Sequence, residues 1–146
     1  MATQRTIEEA DIRRQMERWC AAIRAMDLDG VTSTYARDIA SFDVGPPLRH
    51  AGAEAKMDNW AGVVAMFQPP LDYEIRDLTI TVGDDVAFGH SLNRISSTSK
   101  DGKKKDIWVR FTACFRKIDN DWLIVHDHVS VPFDPTTGRA LMNLKP

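Results

Sequence analysis

WVRFTACFRKIDNDWLIVHDHVS, residues 108–130, alternates apolar and polar side chains with a period of two on both sides of Asp119-Asn120-Asp121. Two such runs joined by a short polar turn predict an antiparallel β-hairpin, because successive strand side chains point to opposite faces. Upstream, the same period begins at Tyr73 and is broken at Gly83-Asp84 and Asp101-Gly102. The hairpin is therefore the end of a four-strand antiparallel meander.

The N-terminal half has a different period. Thr6-Ile7-Glu8-Glu9 has the form of a capping box, and Ile12, Met16, Trp19, Ala22, Ile23 and Met26 follow at helical spacing, which predicts a first helix over 7–26. Asp29 can cap a shorter second helix running through Val31, Tyr35 and Ala36. Ile39 to Val44 reads as a short strand stopped by Gly45-Pro46-Pro47. Met57, Trp60, Ala61, Val64 and Phe67 mark a third helix ended by Pro69-Pro70. Three helices followed by a long antiparallel sheet make an α+β fold, with the helices packed on one face of a sheet that must curve to hold them. We expect one domain over 1–146, with 132–146 as an extended tail.

Composition narrows the function classes. A chain of 146 residues with 43% hydrophobic and 27% charged residues can bury an adequate core without a disulfide or metal staple. A net charge of −2 supplies no field for nucleic acid or an anionic membrane. Lys100 and Lys103 to Lys105 surround Asp101-Gly102, so this cluster reads as a solvated hairpin tip, with a phosphate patch as the alternative. Cys20 and Cys114 have neither metal-type nor disulfide-framework spacing and fit a reducing compartment. The N-terminus lacks the apolar core of a signal peptide, and no apolar run approaches the ~20 residues that span a bilayer, so we expect a cytoplasmic protein.

The hairpin carries the candidate chemistry. By alternation its first strand sorts into Ile107, Val109, Phe111, Ala113 and Phe115 against Trp108, Arg110, Thr112, Cys114 and Arg116. The second sorts into Leu123, Val125, Asp127, Val129 and Val131 against Trp122, Ile124, His126, His128 and Ser130. If the two mixed sides share a face, Arg110, Thr112, His126 and His128 converge on one surface beside apolar groups. That is the composition of a ligand pocket and equally of a wet sheet face.

The order helix, helix, short strand, helix, curved meander, together with MDLDGVTSTYARDIASFD (26–43) and the hairpin itself, resembles the nuclear transport factor 2-like superfamily, and specifically its small SnoaL-like members that are ketosteroid isomerase homologues. The resemblance implies a cone-shaped fold enclosing a pocket, a homodimer, and chemistry of the isomerase, dehydratase or polyketide-cyclase kind. It places Asp43 in the column of the isomerase's general base. Trp19 and Arg110 then fall in the columns of its two oxyanion donors, and the His126 and His128 face turns inward.

Asp43 between Phe42 and Val44 is then a desolvated general base, or else a solvent-facing or cap residue. His126 and His128 suit proton transfer near neutrality, or are core histidines bonded to Ser130 or Thr112. Arg110 either clamps a ligand carboxylate or enolate, or neutralises Asp43. Trp19, Tyr35, Trp60, Met57 and Trp108, with Thr112, serve as pocket wall or plain core. His50, before the third helix, reads as structural. A metal would need a third and a fourth ligand beside the histidine pair, and the candidates, Asp43, His50 and His90, stand at no recognised spacing, so none is expected. The expected function is a cofactor-independent acid/base enzyme acting on a partly apolar carbonyl or hydroxy compound; the alternative is a non-catalytic ligand-binding or oligomerisation module.

Overall fold

Residues 2–146 are described by a computed structural model. Helix α1 spans Gln4–Arg24 and buries Ile12, Met16, Trp19, Cys20 and Ile23 along one stripe. It starts three residues before the predicted boundary because Thr3, not Thr6, is the cap: its Oγ1 accepts the Thr6 N–H at 3.1 Å. Glu8 instead fastens the helix to the sheet, accepting from Lys117 Nζ at 2.6 Å and from the Trp122 indole.

Helix α2 is only Leu28–Thr32, capped by Asp27 rather than Asp29. Thr32, Ser33 and Thr34 turn their hydroxyls back onto the carbonyls of Leu28, Gly30 and Val31. These side chain to backbone bonds close the helix. Tyr35 and Ala36, expected in that helix, therefore open strand β1, Tyr35–Phe42. After the short strand β2, His50–Ala51, helix α3 covers Ala53–Ala65. It stops before Phe67, which begins β3, Phe67–Val82. Pro69-Pro70 thus lies in a strand rather than ending a helix. That strand is a sheet edge, where a residue without an N–H is tolerated.

The meander is as expected: β3, β4 (Val86–Ser99), β5 (Lys104–Ile118) and β6 (Asp121–Ser130) pair antiparallel in sequence. Strand β1 joins the far side of β6 in parallel, so the six-stranded sheet β2-β1-β6-β5-β4-β3 is mixed. Register breaks in β1, β3 and β6 bend it around the helices. The tail is not simply extended: β7 (Phe133–Asp134) and β8 (Arg139–Ala140) form a small hairpin. No described helix is long and apolar enough to cross a membrane.

Two features decide which sheet face holds the core. On β5 the uniformly apolar side, with Phe111, Ala113 and Phe115 each no more than 3% exposed, packs against the helices; the Trp19 and Phe111 rings stack with centroids 5.3 Å apart. A helix stripe as apolar as that of α1 buries more surface against this side than against one carrying Arg110 and Thr112. On β6 a bulge at Val125 breaks the alternation, since Phe115 pairs with Ile124 but Cys114 pairs with His126. Trp122 and Ile124 point inward before the bulge, and Asp127 does so after it. The expectation that Arg110, Thr112, His126 and His128 face inward is therefore corrected: all four lie on the outer face.

Candidate functional site

The concave face and α3 leave a pocket of about 530 Å³, open to solvent rather than enclosed. Its walls are apolar, with Trp19, Trp60, Phe67, Tyr73, Ile107, Val109 and Phe111 prominent. Four Asp and Lys side chains line it, and three of them, all but the exposed Asp58, meet around Lys56. Asp43 follows β1, Lys56 is one helical turn before Trp60 on α3, and Asp127 is the inward residue after the β6 bulge.

Lys56 is 1% exposed and stands between the two carboxylates, its Nζ 2.9 Å from Asp43 Oδ2 and 3.4 Å from Asp127 Oδ2. Asp43 also accepts from Asn59 Nδ2 at 2.8 Å and from the Val44 N–H. Burial pushes the Asp43 carboxyl upward, but the Lys56 charge and these hydrogen bonds outweigh it and hold the group below the ordinary carboxylate range. Asp127 goes the other way. Burial raises it, and the Lys56 charge and the Ser41 hydroxyl bonded to Oδ1 compensate only in part. Its Oδ2 is buried and, Lys56 aside, accepts no hydrogen bond among the described residues. The pocket thus ends in two carboxylates on one lysine, one shifted below the ordinary range and one above it.

The sequence-predicted residues divide cleanly. Asp43, Trp19 and Trp60 line this pocket. Tyr35 lies behind the two tryptophans and accepts both indole N–H groups, at 3.1 Å from Trp19 and 2.7 Å from Trp60. Trp19 therefore has no donor left for a ligand oxygen. Burial holds the Tyr35 hydroxyl far above its usual range, so it stays a neutral phenol. Met57 is half-buried on α3 and is not in the lining.

The outer-face set serves other ends. Arg110 donates to Ser130 Oγ at 3.1 Å, and Trp108 carries the Arg76 guanidinium 4.5 Å from its ring centre. Thr112 is exposed and pairs in register with His128. His126 Nδ1 lies 2.6 Å from the Ala40 carbonyl, and the Phe42 ring meets His126 and His128 edge-on at 4.8 and 5.6 Å. His50 is buried opposite Ser41. Among the described residues no group of three or more His, Cys, Asp and Glu is placed to hold a metal ion.

Lys56 and Asp127 are the site residues that sequence reasoning missed. A signal existed for the first: Ala53, Lys56, Trp60, Val63 and Val64 make one helical stripe, so the lysine interrupts a buried face. Asp127 was hidden because strict alternation, without a bulge, turns it out.

Residues 12–134 match the SnoaL-like domain family. The chain is 35% identical to a nuclear transport factor 2-like protein of unknown function from Pseudomonas putida, with a TM-score of 0.87 over 97% of this chain and 98% of that one. It is also similar to a nuclear transport factor 2-like superfamily protein from Salmonella enterica (TM-score 0.76, 17% identity, 90% and 96% covered). A ketosteroid isomerase-like protein from Erwinia carotovora superimposes with a TM-score of 0.71, at 21% identity over 83% of this chain and 93% of that one. No curated protein matches the chain.

Proposed function

The chain belongs to the SnoaL-like domain family, with its α+β fold, and from its pocket we propose an acid/base enzyme of isomerase, dehydratase or cyclase type. It acts without metal or redox cofactor on a small, partly apolar carbonyl or hydroxy compound. The observation that carries this reading is Asp127: a buried carboxylate shifted upward, one oxygen of which has, Lys56 aside, no hydrogen-bond donor among the described residues, at the polar end of an apolar pocket. Asp127 Oδ2 takes the proton from the substrate carbon or hydroxyl. Lys56, fixed by two carboxylates, offers its charge to the oxygen on which negative charge develops, the part expected of Arg110. Asp43, kept ionised, holds Lys56 in place. This fold hosts many activities, so the reading rests on the site rather than on kinship.

The test uses a probe of the right chemistry, 2-tetralone in D2O, with deuterium uptake at the α-carbon followed by NMR. Wild-type protein should accelerate exchange, and Asp127→Asn should lose about 10²-fold or more of that acceleration. Exchange no faster than in buffer, or equal in wild type and Asp127→Asn, refutes the assignment.

The alternative, an association module, has one observation behind it: Phe42, Val86 and Phe88 are 38–51% exposed on the outer side. We extend the proposal to a homodimer through that face. Phe111 does not belong to that face, because its ring is packed against Trp19 on the concave side. Sedimentation of wild type against Phe88→Glu tests it: a monomer only in the variant supports the dimer, and identical behaviour rejects it.

A further inference from the structure

The basic hairpin tip is exposed, and two of its lysines border a hollow in the surface. This second hollow, about 520 Å³, adjoins the pocket, and Met66, Phe67, Ile107 and Met142 line both. Its remaining lining is polar: Ser99, Lys104, Lys105, Asp106 and Asn143. Two of the four shared residues are methionines, whose unbranched side chains adjust to a chain passing between them.

Strand phase ties Lys105 to the pocket, while Lys104, of opposite phase, borders the hollow from beside it. Lys105, Ile107, Val109 and Phe111 alternate with the outer-face residues, so one row on β5 runs from the apolar interior to Lys105 at the mouth. At ~3.3 Å per residue the row is about 20 Å long. The tip is held in place as well: the Lys100 N–H bonds the Met66 carbonyl at 3.1 Å, and Ser99 Oγ bonds the Lys103 carbonyl at 3.0 Å.

The charges at the two ends differ in sign. Asp106 is answered by Arg94, through contacts of 2.7 and 3.0 Å, with Lys145 at 3.9 Å. Asp101 is engaged by the Ser99 hydroxyl and the Lys103 N–H, and it feels Lys105 only at longer range. Among the described residues neither Lys104 nor Lys105 has an acidic partner within 4.0 Å. The inner end instead sets two carboxylates against one ammonium, so it has no surplus positive charge for a permanently anionic group.

We propose that the second hollow is a subsite for an anionic group, and that the ligand is an elongated apolar molecule whose charged end is held by Lys104 and Lys105 while its body fills the main pocket. The inference rests on that pocket being a ligand site and adds the ligand's length and charge. Lys105 is the principal contact, since it shares the pocket's face, and Lys104 flanks it.

The test is a fluorescence titration with cis-parinaric acid and with its methyl ester, which share one apolar body and differ in charge. Wild-type protein should bind the acid about tenfold more tightly than the ester, a preference that shrinks as salt is added. In the Lys104→Gln/Lys105→Gln double variant the two affinities should converge, with the ester's unchanged. Both lysines are exposed, so the substitutions spare the fold. Equal wild-type affinities, or an acid preference that survives in the variant, overturn the anionic subsite and leave the pocket reading standing. Failure of the wild type to bind either compound rejects the pocket as an apolar ligand site and the subsite with it.

Discussion

Replacing Lys56 by Met keeps the length of the side chain and removes its charge, leaving Asp43 and Asp127 facing each other. Deleting one partner of a buried ion pair costs about 3–5 kcal/mol. The lower end applies here, because the Asp43 side chain keeps 20% exposure and the Asn59 bond, and Asp127 can escape by protonation. For a chain of this size ~3 kcal/mol corresponds to a fall of about 6–12 °C in Tm. The loss should depend on pH. Without Lys56 the Asp127 carboxyl rises further above its unfolded value of ~3.9. The folded state then binds a proton that the unfolded state does not, and stability falls as pH rises through the raised value. Urea melts followed by tryptophan fluorescence at pH 5 and pH 8 should show a larger deficit at pH 8. Adding Asp127→Asn to Lys56→Met should recover part of it, since the two residues act as a unit. A deficit under about 1 kcal/mol that is equal at both pH values would refute the Asp43, Lys56, Asp127 arrangement.

Other consequences are as direct. Tyr35→Phe leaves two buried indole N–H groups without their acceptor, so it should lower stability by about 2–4 kcal/mol in chemical denaturation, whereas a loss below 1 kcal/mol contradicts the shared bond. Glu8, held down to about 2 by the Lys117, Trp122 and Gln4 hydrogen bonds, contributes stability that is present above its unfolded value and lost as pH falls from about 4.5 toward 2. Glu8→Gln should flatten that part of the curve, and an unaltered acid limb would remove Glu8 from the account. Arg110→Ala and His128→Ala, on the outer face, should leave pocket affinity for parinaric acid within about twofold of wild type; a tenfold loss in either would return them to the site.

Period and spacing carried the fold a long way. The 3.6-residue stripe of α1 and the turn residues of the meander are local signals, and local chemistry decides them. Parallel pairing of β1 with β6 joins residues some 90 positions apart and has no local signature. The pocket lining was legible where it depends on one residue's setting, as with Asp43 just past its short strand and Trp60 on a helical stripe, although Asp43 is shifted down by Lys56 rather than raised as expected of a general base. It failed where one added residue reverses a strand. The bulge at Val125 exchanged His126 and His128 for Asp127, and nothing in Trp-Leu-Ile-Val-His-Asp-His marks where a strand will buckle. Arg110 followed the same mistaken face. Lys56 was overlooked for a different reason, that a lysine in a helix reads as solvated until two carboxylates are found beside it.

The most direct test of the central claim is a crystal structure with 2-naphthol, an apolar phenol whose hydroxyl stands where an enolate oxygen would form. The ring should lie between Trp19 and Trp60, with the hydroxyl within hydrogen-bond distance of Asp127 Oδ2 or Lys56 Nζ. A molecule seated on the outer face beside Phe42, His126 and His128, with the concave pocket empty at saturating ligand, would contradict that claim.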